Sequence, residues 1–244
     1  MFQLPEITLT TFFLVNKVVS TIFIFLTVIG WFGNSILIIV TIRSKNFRNP
    51  CNYFIAMQAF TDMMSQAPHF IYAYFAYTEV LVSFHTCFFI NLPFLSAFDF
   101  STAMMFFIAL DRLTCAKWSA FYRSLNPFKY VLTIVACGLV YGGIFKIIFY
   151  LSLTTDLTLC LIEESMTGSA TFVWLATGAV VNCGTIICYI LLGKQMKATV
   201  SYAQHSDTSH NAIDRSIKTL VLINIFGWTF TTIAGLVAFA ISPK

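Results

Sequence analysis

The sequence predicts an all-α integral membrane protein, and three observations predict it. The chain is 58% hydrophobic and only 10% charged, where a soluble domain carries about 25% charged residues. Its apolar residues gather into six stretches, each long enough for the roughly 20 residues that carry a helix across a bilayer. Its basic residues fall in every second connection between those stretches. Helices are the expected form because unpaired backbone groups are costly in lipid, and a barrel would show short alternating strands. A length of 244 residues fits one transmembrane domain, 1–244.

The first span is expected at 12–42, with Lys17 just inside it and Arg43, Lys45 and Arg48 following. The second, 51–77, carries Asp62 near its middle. A charged carboxylate there costs about 2.5–3.5 kcal/mol on insertion scales, so it should face the bundle and find donors. His69 and Glu79 belong to its outer half or just beyond, and Pro68 should kink it. The third, 84–116, holds Cys87 near one end, Asp111-Arg112 near the other, Asp99 between them and a second kinking residue, Pro93. The fourth, 130–153, has Lys146 near its outer end, where the long stem is expected to snorkel to water. The fifth, 170–192, leads into a polar connection, 193–216, expected to be partly disordered. Ser201, Ser206, Thr208 and Ser209 there are either solvated hydroxyls or phosphorylation sites. The sixth span is expected at 217–241.

Orientation follows from charge. Lys117, Arg123 and Lys129 lie between spans three and four, and Lys194, Lys197 and Arg215 between five and six. The opposite side carries Glu6, Glu79, Asp156, Glu163 and Glu164. The basic side is read as cytoplasmic, which places the N-terminus outside and, with six spans, the C-terminus outside as well. No basic leader with a small-residue cleavage site precedes the first span, which would serve as its own anchor. There is no Asn-x-Ser/Thr sequon and no CxxC pair among the seven cysteines, so no zinc site or thioredoxin-like motif is read. No basic run suggests nucleic acid. No span has the every-third-residue cations of a voltage sensor, and no paired broken helices mark a transporter. Asp62 and Asp99 at similar depth are the only hint of an intramembrane protease, without flanking motifs. No cofactor is implied.

One helical stripe runs along the third span through Phe94, Phe98, Ser101, Met105, Ile108 and Arg112. Its outer half would line a pocket and its inner half would pack the core. Asp99 sits halfway between Cys87 and Arg112, positions twenty-five apart. It would either meet a polar or cationic ligand or bond to Asn182 on span five.

An ordered set of short motifs spans nearly the whole chain. Gly33-Asn34 lies in span one. Phe47-Arg48-Asn49-Pro50-Cys51-Asn52-Tyr53-Phe54-Ile55-Ala56 leads to Ala59-Phe60-Thr61-Asp62 in span two. Asp111-Arg112-Leu113 is followed by Tyr122-Arg123-Ser124-Leu125-Asn126 and Tyr130, and Gly227-Trp228 lies in span six. With these motifs the chain resembles the rhodopsin-like (class A) G-protein-coupled receptors, and more closely the nematode serpentine chemoreceptors of the SX class. It departs from that pattern at Ser119, where many relatives have Pro. No Pro follows Trp228, and the seventh helix with its Asn-Pro-x-x-Tyr motif is missing. The expected bundle therefore has six of the seven transmembrane helices.

The resemblance implies a plasma-membrane chemosensory receptor that binds an extracellular small molecule or peptide and activates a heterotrimeric G protein. It implies that Asp111 and Arg112 form the switch, with Tyr122, Lys194, Arg215 and Lys218 forming or bordering the coupling surface. Arg112 would pair with Asp111 or meet the partner protein; a helix-end Arg that only snorkels is the alternative. It places Trp228 at the floor of a pocket, for which Phe94, Phe98 and Asp99 are the candidate lining residues read from span three, Asp99 not being required by the family pattern. Phe94 stands where amine receptors place an Asp, which argues against a biogenic amine. Asp62 and Ser101, with Asn34 and Trp228 near, would hold a sodium ion; the alternative is an Asp62 simply hydrogen-bonded to Asn34 or Ser101. Cys87 and Cys160 both fall on the oxidising face, either as a disulfide or as two free thiols. A further reading on the same fold is a truncated, non-signalling isoform or fragment that interacts with full-length relatives.

Overall fold

The computed structural model describes residues 9–43, 50–162, 166 and 168–202. Among them the elements run α1 (Leu9–Arg43), α2 (Pro50–Gln66), α3 (Pro68–Thr78), β1 (Val82–Ser83), α4 (Phe84–Lys117), α5 (Ser119–Ser124), α6 (Pro127–Ser152), β2 (Leu157–Thr158) and α7 (Ser169–Tyr202). Helices α1, α4, α6 and α7 are each long and apolar enough to cross a membrane. Helices α2 and α3 together occupy the stretch expected as the second span, 51–77. The expected sixth span, 217–241, lies outside the described residues.

Local sequence fixes the ends of these helices. Ser83 caps α4 by accepting the Thr86 N–H at 3.2 Å. Asn126 caps α6, accepting from the Phe128 and Lys129 N–H groups at 3.1 and 3.2 Å, with Pro127 pre-set for the first turn. Pro68 does more than kink the second span. It has no N–H to donate, and the helix stops at Gln66 and restarts at Pro68. The junction is bridged by three-residue bonds from Ala67 N–H to the Met64 carbonyl and from Phe70 N–H to the Ala67 carbonyl. Helix α4, by contrast, continues through Pro93 without interruption.

The fifth helix does not end near 192: α7 continues to Tyr202, so the first part of the polar connection is helical. Its backbone bonds close within the helix whatever its side chains face. A short strand pair also appears, β1 with β2, antiparallel, Val82 opposite Thr158 and Ser83 opposite Leu157. Two residues per strand leave no periodicity to read in the sequence.

Helix α4 is the hub, packed on α2, α6 and α7, while α1 packs on α2 and α3. Half of the apolar window of α4 is buried in the bundle but only 6% of that of α1, so α1 is peripheral. Lipid tails are as apolar as Leu, so these helices are held by close packing and interhelical hydrogen bonds rather than by escape from water. Phe88, Leu95, Phe145 and Phe149 pack near the Cys87 end; Phe54, Phe100, Met104, Ile108 and Ile134 pack midway; Ala109, Leu113, Cys188, Tyr189 and Leu192 pack toward the Arg112 end.

Candidate functional site

At one end of α4, Cys87 and Cys160 form a disulfide with their Cα atoms 5.2 Å apart. Both are fully buried. Cys160 takes a left-handed backbone conformation (φ 64°), and its N–H donates to Thr158 Oγ1 at 3.1 Å. Asn91, one turn into α4 from Cys87, donates its amide to both sulfurs. The Phe84 N–H donates to the Asp156 carbonyl at 3.1 Å. The β1–β2 pair, the disulfide and these bonds fasten the connection after α6 to the start of α4.

Deeper along α4, Phe94 and Phe98 are half-buried and Asp99 is buried. Two groups meet the Asp99 carboxylate. Lys146 of α6 donates to Oδ2, and the Trp174 indole of α7 donates to Oδ1 at 2.8 Å. The Trp174 ring lies 5.3 Å from Phe98, and the Lys146 ammonium lies 4.9 Å from the centroid of Phe149. The snorkelling expected of Lys146 is therefore overturned: its side chain is 12% exposed and ion-paired. The reason is the face it occupies. Gly138, Gly142 and Lys146 follow at four-residue steps on α6, and the two glycines set that face against α4. A Cβ on Gly142 would sit 3.5 Å from the Asp99 Cβ, and one on Gly138 only 2.9 Å from the Phe100 ring. The expected bond from Asp99 to Asn182 is likewise replaced by Lys146 and Trp174. Trp228 lies outside the described residues.

Asp62 has its own partners. Ser101 donates to Asp62 Oδ1, and the Gln58 amide donates to the same oxygen at 3.1 Å and to Ser101 Oγ at 2.6 Å. Asn34 is half-buried on α1 and is not one of these partners. A sodium ion shared by Asp62 Oδ1 and Ser101 Oγ would compete with the Gln58 nitrogen, which already donates to both of these oxygens. Asp62 and Asp99 belong to separate networks, and neither faces the other as a protease pair would.

At the opposite end of α4, Asp111 is buried and accepts a hydrogen bond from the Tyr122 hydroxyl at 2.9 Å. The expected Asp111–Arg112 pairing is not formed. Neighbours on a helix point about 100° apart, and here Asp111 turns inward while Arg112 is exposed. Among the described residues Arg112 has no ion-pair partner. The second Asp111 oxygen is buried without one. The Tyr122 ring lies 5.9 Å from Tyr130, which lies 6.0 Å from Phe54 of α2, so α5 is tied to the bundle. Burial, then the adjoining Asp111 carboxylate, pushes the Tyr122 phenol above its ordinary range. Arg123, Lys117 and Lys129 are exposed around it, and so is Lys194 on α7. Arg215 and Lys218 lie outside the described residues.

Sequence reasoning missed Gln58, Trp174 and the inward turn of Lys146. Gln58 was legible in principle, four residues before Asp62 on the same helix face. It also missed a polar seam between α1 and α3. Lys17 pairs with Glu79 at 2.6 Å, Tyr72 donates to Asn16, Thr21 shares a hydrogen bond with Tyr77, and Thr27 shares one with His69 at 2.8 Å. Interhelical bonds of this kind average about 0.6 kcal/mol in a bilayer, so the seam holds the peripheral α1 by number rather than strength.

A family model described as serpentine type 7TM GPCR chemoreceptor Srsx matches residues 27–244, most of the chain. No curated protein matches the sequence.

Proposed function

We propose, because this chain belongs to the serpentine Srsx chemoreceptors, a family of seven-transmembrane G-protein-coupled receptors, that it binds an extracellular small molecule or peptide and activates a heterotrimeric G protein. The family is not a family of enzymes. The observation that carries the reading is the family match together with the divided ends of α4. Cys87 is stapled at one end, and an exposed Arg112 stands at the other beside a buried, tyrosine-held Asp111.

The exposed cations Lys117, Arg123, Lys129 and Lys194 support a cytoplasmic location for the Arg112 end. The N-terminus then lies outside, at the plasma membrane. Phe94, Phe98, Asp99 and Trp174 form the described part of the proposed ligand pocket, to which the family resemblance adds Trp228. Asp99 already faces the Lys146 ammonium, so it is not an uncompensated anion for a cationic amine. Ligand binding favours a bundle whose inner ends separate, and Arg112, Lys194, Arg215 and Lys218 meet the G protein there.

The test is a G-protein dissociation assay in cells displaying the receptor, run against a chemical library alongside Arg112→Ala at matched surface display. Activation that disappears in the variant supports the reading. Good display with no response, or a response indifferent to Arg112→Ala, would sink it.

A further inference from the structure

We infer that the side-chain amide of Gln58 takes the place of a cation between Asp62 and Ser101, so that spans two and three are joined there without sodium. Gln58 and Asp62 lie four residues apart on α2 and share a face, while Ser101 reaches them from α4, where it is fully buried. The Gln58 nitrogen lies 3.1 Å from Asp62 Oδ1 and 2.6 Å from Ser101 Oγ. Its two hydrogens serve both acceptors, and the Ser101 hydroxyl donates its own hydrogen to the same Asp62 oxygen. The three groups close a ring of hydrogen bonds across the two helices.

An alkali cation bridging Asp62 and Ser101 would occupy the point where this nitrogen sits. It would draw on the same lone pairs, but without being covalently attached to the protein. The orientation of the amide separates the two states. Turned over, Gln58 would set its carbonyl oxygen against the Asp62 carboxylate, an arrangement that needs a cation or a proton between them. The hydrogen-bond network selects the donor orientation, which leaves Gln58 Oε1 buried and without a partner. An amide that forgoes a bond on its acceptor side in order to donate twice is acting as the cation surrogate.

The test uses the full-length protein in lipid nanodiscs, melted in sodium, potassium and choline chloride at equal ionic strength. A ligand that binds only the folded state raises the melting temperature with its concentration. The wild type is expected to melt at the same temperature in all three salts. Gln58→Leu is expected to melt higher in sodium than in choline, and Gln58→Leu combined with Asp62→Asn is expected to lose that difference. A sodium-specific rise in the wild type, abolished by Asp62→Asn, overturns the inference. So does a folded Gln58→Leu that melts alike in every salt. If the Leu variant does not fold, Gln58→Ala replaces it, and the wild-type comparison decides without either variant. The readout is stability, so a failed signalling assay leaves it untouched.

Discussion

Lys146 of α6 donates to the carboxylate of Asp99 on α4, and the Trp174 indole of α7 donates to the other oxygen of the same group. Three helices are thus fastened at one carboxylate inside an apolar bundle. Asp99 is 1% exposed and Lys146 12%, so each charge depends on the other. Removing one partner leaves a buried charge uncompensated, which costs about 3–5 kcal/mol, whereas removing both in favour of apolar groups can be nearly neutral. Asp99→Leu and Lys146→Met are therefore expected each to lower thermal stability by about that amount, and the double variant to recover most of it. A double variant whose loss equals the sum of the two single losses would show that the two residues act independently. Thermal melts of the four proteins in nanodiscs supply the cycle.

The disulfide closes a loop with a sequence separation of 73 and holds the connection after α6 over the start of α4. Cys87→Ser, Cys160→Ser and mild reduction of the wild type are expected to converge on one destabilised state, about 2–4 kcal/mol below the oxidised protein. Peptide mapping under non-reducing conditions gives a separate check. It should recover the Cys87 and Cys160 peptides joined, and free thiols at both would remove the basis for the prediction.

Tyr122 gives a pH dependence with a definite sign. Its phenol is pushed above the ordinary value of 10.0 by burial and by Asp111. The unfolded chain therefore releases this proton at lower pH than the folded protein does. The contribution is fully present below about pH 10 and is lost as the pH rises beyond it. Stability of the wild type should fall more steeply above that pH than stability of Tyr122→Phe. At neutral pH the Phe variant should be weaker by about 1–3 kcal/mol, because both oxygens of the buried Asp111 then lack a donor. Parallel pH slopes in the two proteins would contradict the assignment.

The membrane class and the long apolar helices α1, α4, α6 and α7 were legible because apolar length and loop charge are summed properties, insensitive to which way any one side chain points. That α4 is the hub was not read from the stripe between Phe94 and Arg112; it follows from its packing on α2, α6 and α7. Lys146 was misread because a Lys six residues before the helix end at Ser152 has two outlets, water along the axis or a carboxylate across the interface. Choosing between them needs the rotation of α6, which Gly138 and Gly142 set and which a hydropathy profile does not carry. For Arg112 the sequence left open a pair with Asp111 or an exposed helix-end cation, and the helix decides between them: it turns the two apart and delivers Asp111 to Tyr122, eleven residues on. Gln58 escaped notice because an uncharged amide in a span attracts less attention than the carboxylate it serves.

The glycine face of α6 makes the last prediction, since it ties packing to the ion pair. At Gly142 a Cβ would make ordinary contact with the Asp99 Cβ at 3.5 Å, so Gly142→Ala is expected to fold with little loss. A Leu there has no room and must push α6 away from α4, at a typical overpacking cost of about 1–3 kcal/mol. That displacement also draws Lys146, one turn further along the same face, off Asp99. Gly142→Leu should therefore lose more than overpacking alone. Much of the excess should vanish in the background where Asp99 and Lys146 are already replaced by Leu and Met. Gly138→Ala is a control of a different kind, because its Cβ would stand 2.9 Å from the Phe100 ring and must shift an aromatic side chain without touching the ion pair. It should destabilise equally in both backgrounds. Equal losses for Gly142→Leu with and without the ion pair would show that helix spacing and the Lys146–Asp99 contact are uncoupled.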